Sequence, residues 1–207
     1  MPLPLKIFTI LSANESKIKE KGSEFIAHAF PVETIEEATS TLNNIKKKYY
    51  DATHNCFAYK LADGSFKYSD DGEPGGTAGI RIFNAVNHFN LTNIIVIVTR
   101  YFGGTKLGVG PLGKAYYDSA YECLKQIKPA EKNLMERMSV KFEFEYANLV
   151  HRLLARYGCK IEGTKFENDS EIHFVIESSK KEQFIKDLHS QSLNHIDAKA
   201  TNEQFYF

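Results

Sequence analysis

Net charge is the first thing the sequence lacks: 26 Lys and Arg stand against 26 Asp and Glu in 207 residues. A chain that holds a long nucleic acid by charge alone is usually basic, with a pI above about 9, and here the pI is 7.1. Any nucleic-acid site must then be a local patch. Before Met138 there are 17 Lys and Arg against 15 Asp and Glu, and from Met138 onward 9 against 11, so neither half is basic enough to change that. Cysteine is scarce too. Cys56, Cys123 and Cys159 are odd in number, far apart and without Cys-x-x-Cys spacing. That argues against a disulfide framework or zinc site and for reduced thiols in a cytoplasmic compartment. No run approaches the ~18 uninterrupted apolar residues of a membrane span. The start, with Leu5, Ile7, Phe8, Ile10 and Leu11 apolar, lacks the basic segment and cleavage site of a signal peptide, and reads as an edge strand. Internal repeats and low-complexity tracts are also missing.

What is present suffices for two small cores. Apolar residues make up 43% and charged residues 25%, which with zero net charge describes a chain that folds. Lys21 to Val32 alternates as a strand. Ile35, Ala38, Leu42, Ile45 and Tyr49 then recur at helical steps, with Glu33, Glu36 and Glu37 opening the helix and Lys46, Lys47 and Lys48 closing it, as the macrodipole favours. His54 to Leu61 and Phe66 to Ser69 form a hairpin around Ala62-Asp63-Gly64-Ser65. A helix passes through Ile82, Val86 and Phe89. Thr92 to Thr99 is almost wholly apolar, which implies a strand buried on both faces or nearly so, and Pro111 opens a further helix. From Met138 the order is β-α-β-β-α-β, with Gly158 capping its first helix and a turn at Asn168-Asp169. His151, His173, His189 and His195 are scattered there and read as structural or surface residues.

Two loops stand out, because nine of the thirteen glycines lie in them: Gly72, Gly75, Gly76, Gly79, Gly103, Gly104, Gly108, Gly110 and Gly113. Glycine weakens a fold unless the backbone needs positive φ or close approach. The first loop, Ser69 to Gly79, holds Asp70, Asp71 and Glu73 and no base. The second, Thr99 to Tyr116, holds Arg100, Lys106 and Lys114 and no acid, and runs into a helix start, a place where backbone N–H groups bind anions. Gly108 to Lys114 fits the opening of a phosphate-binding P-loop. Ala115 stands where the magnesium-holding hydroxyl belongs, and the motif does not directly follow the preceding strand, so the match is false. The three carboxylates can form an acid/base group or a Mg²⁺ site. The preferred reading has them capping the next helix and pairing with Arg100, Lys106 or Lys114. His54 and Cys56 share a strand face as a catalytic pair would, but a free cysteine is more often a buried small hydrophobe. Tyr101 and Phe102 either stack on bases or close the core; both readings stay open.

The SDDGEPGGTAG stretch, the buried strand, TRYFGGTKLG and the following KAY, with KGSEFIA and HNCFAYKL upstream, resemble the signature of the Impact/YigZ family from Ser23 to Tyr117. Glu24 stands where that family usually has a base, Arg81 where it has proline and Pro111 where it has glycine. Gly113-Lys114 replaces a pair more often ending in arginine, which keeps the charge without the bidentate fork. The resemblance implies an α+β chain of two domains, 1–136 and 137–207, each a sheet with helices on one face. The first would resemble the second domain of the fifth small-subunit ribosomal protein. The second would be ferredoxin-like, resembling the last domain of elongation factor G. It implies a non-enzymatic, cytoplasmic, translation-linked protein without cofactor, metal or membrane, favoured as a monomer, that meets RNA or a ribosome-associated protein. The alternatives are a protein-interaction regulator without nucleic acid, and a hydrolase or metal-dependent enzyme using Asp70, Asp71 or Glu73. The ligand would be held by Arg100, Gly103, Gly104, Lys106, Gly108, Gly110 and Lys114. Asp70, Asp71, Glu73 and Thr77 would support the loop, and Tyr101 and Phe102 would stack.

Overall fold

The computed structural model describes residues 2–166 and 170–207, so the turn expected at Asn168-Asp169 lies outside the described residues. Two compact units form, one comprising Ile7–Glu131 and the other Lys132–Phe207 with Pro4–Lys6; the sequence reading divides the chain at 136/137. Among the described residues no helix is long and apolar enough to cross a membrane.

The chain opens with a short strand, β1 (Lys6–Thr9). The first unit then builds an antiparallel sheet in the order β2-β3-β6-β4-β5. Its strands are β2 (Asn14–Glu20), β3 (Ser23–Pro31), β4 (His54–Lys60), β5 (Phe66–Ser69) and β6 (Ile94–Tyr101). Three helices cover it: α1 (Ile35–Lys48), α2 (Gly79–His88) and α3 (Val109–Lys125). Central β6 explains the layering. Ile94, Val96 and Val98 pack with Ile82, Val86, Leu112, Tyr116 and Ala120 of α2 and α3. The alternate residues Ile95 and Ile97 pack with Ala38 and Ile45 of α1. The expectation of helices on one face is corrected here: a strand apolar on both sides needs a cover on both sides, because side chains alternate across a sheet. The edge strand β2 escaped the sequence reading. Its NESKIKE run has one large apolar residue, Ile18, and a charged edge of this kind discourages pairing with a second sheet. Helix α1 begins where Thr34 accepts a hydrogen bond from the Glu37 N–H at 3.1 Å, and ends in its three lysines.

The second unit holds β7 (Ala130–Phe142), α4 (Ala147–Arg156), β8 (Lys160–Phe166), β9 (Ser170–Glu177), α5 (Ser178–Gln191) and β10 (Ala198–Tyr206). Its sheet runs β10-β7-β9-β8. A bond of 2.8 Å from the Leu134 N–H to the Leu5 carbonyl ties the start of the chain to this unit. Strict alternation sends Met138, Val140 and Phe142 of β7 against Val150 and Leu154 of α4 and Phe184 and Leu188 of α5, so here both helices do lie on one face. The expected β-α-β-β-α-β order is present.

Candidate functional site

The two glycine-rich loops meet in the first unit. Strand β6 places Arg100 directly opposite His54 of β4, and β5 delivers the acidic loop to the same end of the sheet. Beside them lies a cavity of about 400 Å³ lined by Thr53, His54, Glu73, Arg100, Phe102 and Lys106, with apolar walls from Pro74, Leu107, Val109 and Leu112. Asp70, Asp71, Glu73, Arg100 and Lys114 each pair with a side chain or backbone group of the fold, whereas among the described residues Lys106 is in no ion pair and no side chain caps the start of α3.

Asp70 caps α2. Its Oδ1 accepts from the N–H groups of Ala78 at 2.9 Å and Gly79 at 2.8 Å, and its Oδ2 from Gly76 at 2.8 Å. Burial opposes its charge, yet the three backbone donors outweigh that and hold its carboxyl below the usual value. Asp71 has φ +46, a left-handed backbone costly for a residue with a side chain. Three bonds hold it there: Lys46 Nζ to Oδ1 and the Asn55 N–H to Oδ2, each at 2.7 Å, and His54 Nδ1 to its carbonyl at 2.8 Å. Thr77 is buried and donates to the Pro74 carbonyl at 2.6 Å. Glu73, only 8% exposed, receives Arg100 Nη1 at 2.5 Å and the Tyr116 hydroxyl at 2.7 Å on Oε1. Each carboxylate of this loop is thus engaged within the fold: Asp70 caps α2, Asp71 meets Lys46, and Glu73 meets Arg100 through Oε1. Among the described residues no cluster of three or more His, Cys, Asp or Glu is placed to hold a metal ion.

Cys56 lies on the buried side of β4, where its thiol donates to the Asp70 carbonyl at 2.9 Å. Burial pushes that thiol up to about 12, so at neutral pH it is no nucleophile. Burial likewise raises the Tyr116 phenol. The hydroxyl of Tyr116, which the helical pattern marks only as apolar, joins Arg100 in holding Glu73. His54 is the other residue whose role the sequence reading missed. Its place opposite the loop's arginine comes from the pairing of β4 with β6, which the sequence does not show.

The basic loop divides its cations. Arg100 is 5% exposed, spent on Glu73, and packed between Phe25 and Phe102, whose ring centroids lie 5.4 and 5.6 Å from its guanidinium carbon. Lys114 is exposed and bonded to Asp118 one turn along α3. Lys106 is exposed, lines the cavity, and among the described residues is the one cation of this loop outside an ion pair. Tyr101 donates to Asp51 at 2.7 Å and is thereby tied down, whereas Phe102 is 46% exposed on the cavity rim. The glycines divide as well. A Cβ on Gly103 would fall 1.9 Å from the Gly22 carbonyl carbon, so that glycine serves the packing of the β2-β3 turn. Gly104 and Gly108 have φ +85 and open space around them. Gly113 faces Arg81, where a Cβ would sit 3.2 Å from Nε. Gly110 has neither positive φ nor a close neighbour, so nothing within the fold requires it. Helix α3 starts at Val109, two residues before Pro111, with Gly108 as a cap that offers no side chain. Among the described residues no side chain caps this start, unlike that of α2, whose first N–H groups Asp70 fills.

Residues 21–124, half of the chain, match the family model of the Impact N-terminal domain. The chain is 34% identical to the IMPACT family member YvyE of Bacillus subtilis over 179 residues, 86% of this chain and 82% of that protein. It is 27% identical to the IMPACT family member YigZ of Escherichia coli over 187 residues, 88% of this chain and 92% of that one. A crystal structure of a hypothetical protein shares the fold, with a TM-score of 0.70 at 24% identity, covering 97% of this chain and all of the other. On the matched domain and the extent of these likenesses, the chain belongs to the Impact family.

Proposed function

We propose that this chain is a non-enzymatic, translation-linked binding protein of the cytoplasm, and that its first unit takes a phosphate-bearing ligand, RNA or a ribosome-associated partner, at the start of α3. One observation carries this reading: Lys106 and the uncapped beginning of α3 border the same cavity of about 400 Å³. An open helix start and an unpaired cation favour the same kind of guest, an anion. The proposal narrows the expected ligand set. Arg100 and Gly103 hold the loop's shape, while Lys106, Gly104, Gly108 and Gly110 face the ligand and Phe102 supplies a stacking surface. Lys114 joins only by leaving Asp118. The proposal also takes the first unit as akin to the second domain of the fifth small-subunit ribosomal protein, the second as akin to the last domain of elongation factor G, and the chain as a monomer. Filter binding of single-stranded RNA tests it. Lys106→Ala binds more weakly than the wild type, and equal retention of RNA by both proteins overturns the assignment.

A second reading, a regulator that meets a protein partner without nucleic acid, is favoured by Phe102 and Val109, which are 46% and 66% exposed beside the cavity. A partner that stays bound through nuclease and high salt, and is lost in Val109→Glu, decides for it.

A further inference from the structure

Among the described residues, one carboxylate oxygen facing the cavity accepts no hydrogen bond. The Glu73 side chain is 4% exposed, and its Oε1 is saturated by Arg100 and Tyr116. Nε2 of His54 stands 3.8 Å from its Oε2, beyond hydrogen-bond reach. The imidazole is oriented from behind. The Asp71 carbonyl only accepts, so the bond of 2.8 Å to it requires the proton of His54 on Nδ1. In the neutral ring Nε2 is then a second acceptor. Both residues line the cavity, so two acceptors 3.8 Å apart border one space. The group that completes them offers two donors side by side.

Charge selects among such groups. Arg100 already balances Glu73, and Lys106 adds a positive charge beside the same cavity. An ammonium would enter a region with net positive charge, whereas a neutral pair of hydroxyls brings none. A vicinal diol is the neutral group that carries two donors on adjacent carbons. The rest of the wall suits what a ribose diol carries with it. Phe102 offers a half-exposed ring, Pro74, Leu107, Val109 and Leu112 are apolar, and the start of α3 with Lys106 faces an anion. The volume, about 400 Å³, lies within the roughly 300–1,000 Å³ of small-ligand pockets.

We infer that this cavity recognises a ribonucleoside phosphate bearing a free 2′,3′-diol, the hydroxyls donating to Glu73 Oε2 and His54 Nε2 and the phosphate meeting Lys106 and the start of α3. The inference rests on the anion-binding reading above and adds the sugar to it. The same chemistry comes from a free ribonucleotide or from the 3′ end of an RNA chain.

Calorimetric titration of the full chain tests the inference with adenosine 5′-monophosphate, its 2′,3′-dideoxy analogue, inorganic phosphate, and a short oligoribonucleotide with a free or a phosphorylated 3′ end. The expected result is a preference of about tenfold or more for the ribonucleotide over the dideoxy analogue, the worth of roughly one good polar contact. In His54→Phe the preference falls towards one. Tighter binding of the free-ended oligomer than of the mononucleotide, lost on 3′ phosphorylation, identifies the RNA end as the source; the reverse order identifies the free nucleotide. Equal affinity for the ribo and dideoxy forms overturns the diol while leaving the anion site standing. Absence of binding by phosphate, nucleotides and RNA alike overturns both.

Discussion

Arg100 and Glu73 face each other where water hardly reaches, at 5% and 8% exposure, and their ion pair is valued chiefly by what its loss would leave behind. Removing one partner strands the other charge in a poorly solvated site, at a cost of about 3–5 kcal/mol. Arg100→Met is therefore expected to lower the unfolding free energy in urea by about that much. The double variant with Glu73→Gln recovers part of it, because the stranded charge is gone. Asp70 makes a different kind of contribution. Loss of a helix cap costs about 1–2 kcal/mol, and Asp70→Ala should show that loss at neutral pH. The folded carboxyl sits below its ordinary value, held there by the N–H groups of Gly76, Ala78 and Gly79 against the opposing effect of burial. Its contribution is thus complete above the unfolded value of about 3.9 and disappears as pH falls through the lower folded one. Denaturation curves of wild type and Asp70→Ala should accordingly converge in acid below about pH 4. A gap that stays constant down to pH 2 would show that the cap does not act through its charge.

Gly110 of helix α3 and Gly103 of the loop before it look alike in the sequence, and the structure separates them. Gly103→Ala drives a methyl into the Gly22 backbone and should cost about 1–3 kcal/mol or more, read as a lower melting temperature. Gly110→Ala meets nothing, and alanine favours a helix over glycine by up to about 1 kcal/mol, so that variant should melt no lower than the wild type. If the start of α3 holds a phosphate, the same methyl reduces RNA retention, and stability and binding move in opposite directions. The elements themselves were largely legible in the sequence. The apolar run of β6, the charged ends of α1 and the alternation from Met138 each follow from local period and charge. Strand β2 was not legible, because an edge strand facing water on most of its length carries no apolar pattern. The kind of partnering in the site was legible, since carboxylates beside a helix start and a basic loop call for caps and ion pairs, but which acid meets which base was out of reach. Arg100 and Glu73 are brought together by the pairing of β4 with both β6 and β5, and no spacing along the chain records those pairings. The acid-free appearance of the basic loop was true of the sequence and misleading in space, since the acid that neutralises Arg100 comes from the other loop and the one that holds Lys114 lies one helical turn on.

At the scale of the whole chain, equal numbers of acidic and basic residues leave no long-range attraction for a polyanion. Binding of nucleic acid must then draw on the few cations that the fold leaves unpaired at the cavity. The salt dependence of binding counts them. Each phosphate neutralised on single-stranded RNA contributes about −0.7 to the slope of log K against log salt. Arg100 is committed to Glu73, and Lys114 to Asp118, so the cavity offers one contact through Lys106. The expected slope is about −0.7, rising in magnitude to about −1.4 if RNA draws Lys114 away from its carboxylate. Asp118→Asn separates these cases, because it releases Lys114 in advance. It should steepen the slope towards −1.4 and strengthen binding at low salt, while Lys106→Ala flattens it. A wild-type slope of −3 or beyond would mean that four or more cations reach the phosphates. The loop could not supply them even with its buried arginine freed, and the contact surface would have to lie elsewhere on the chain.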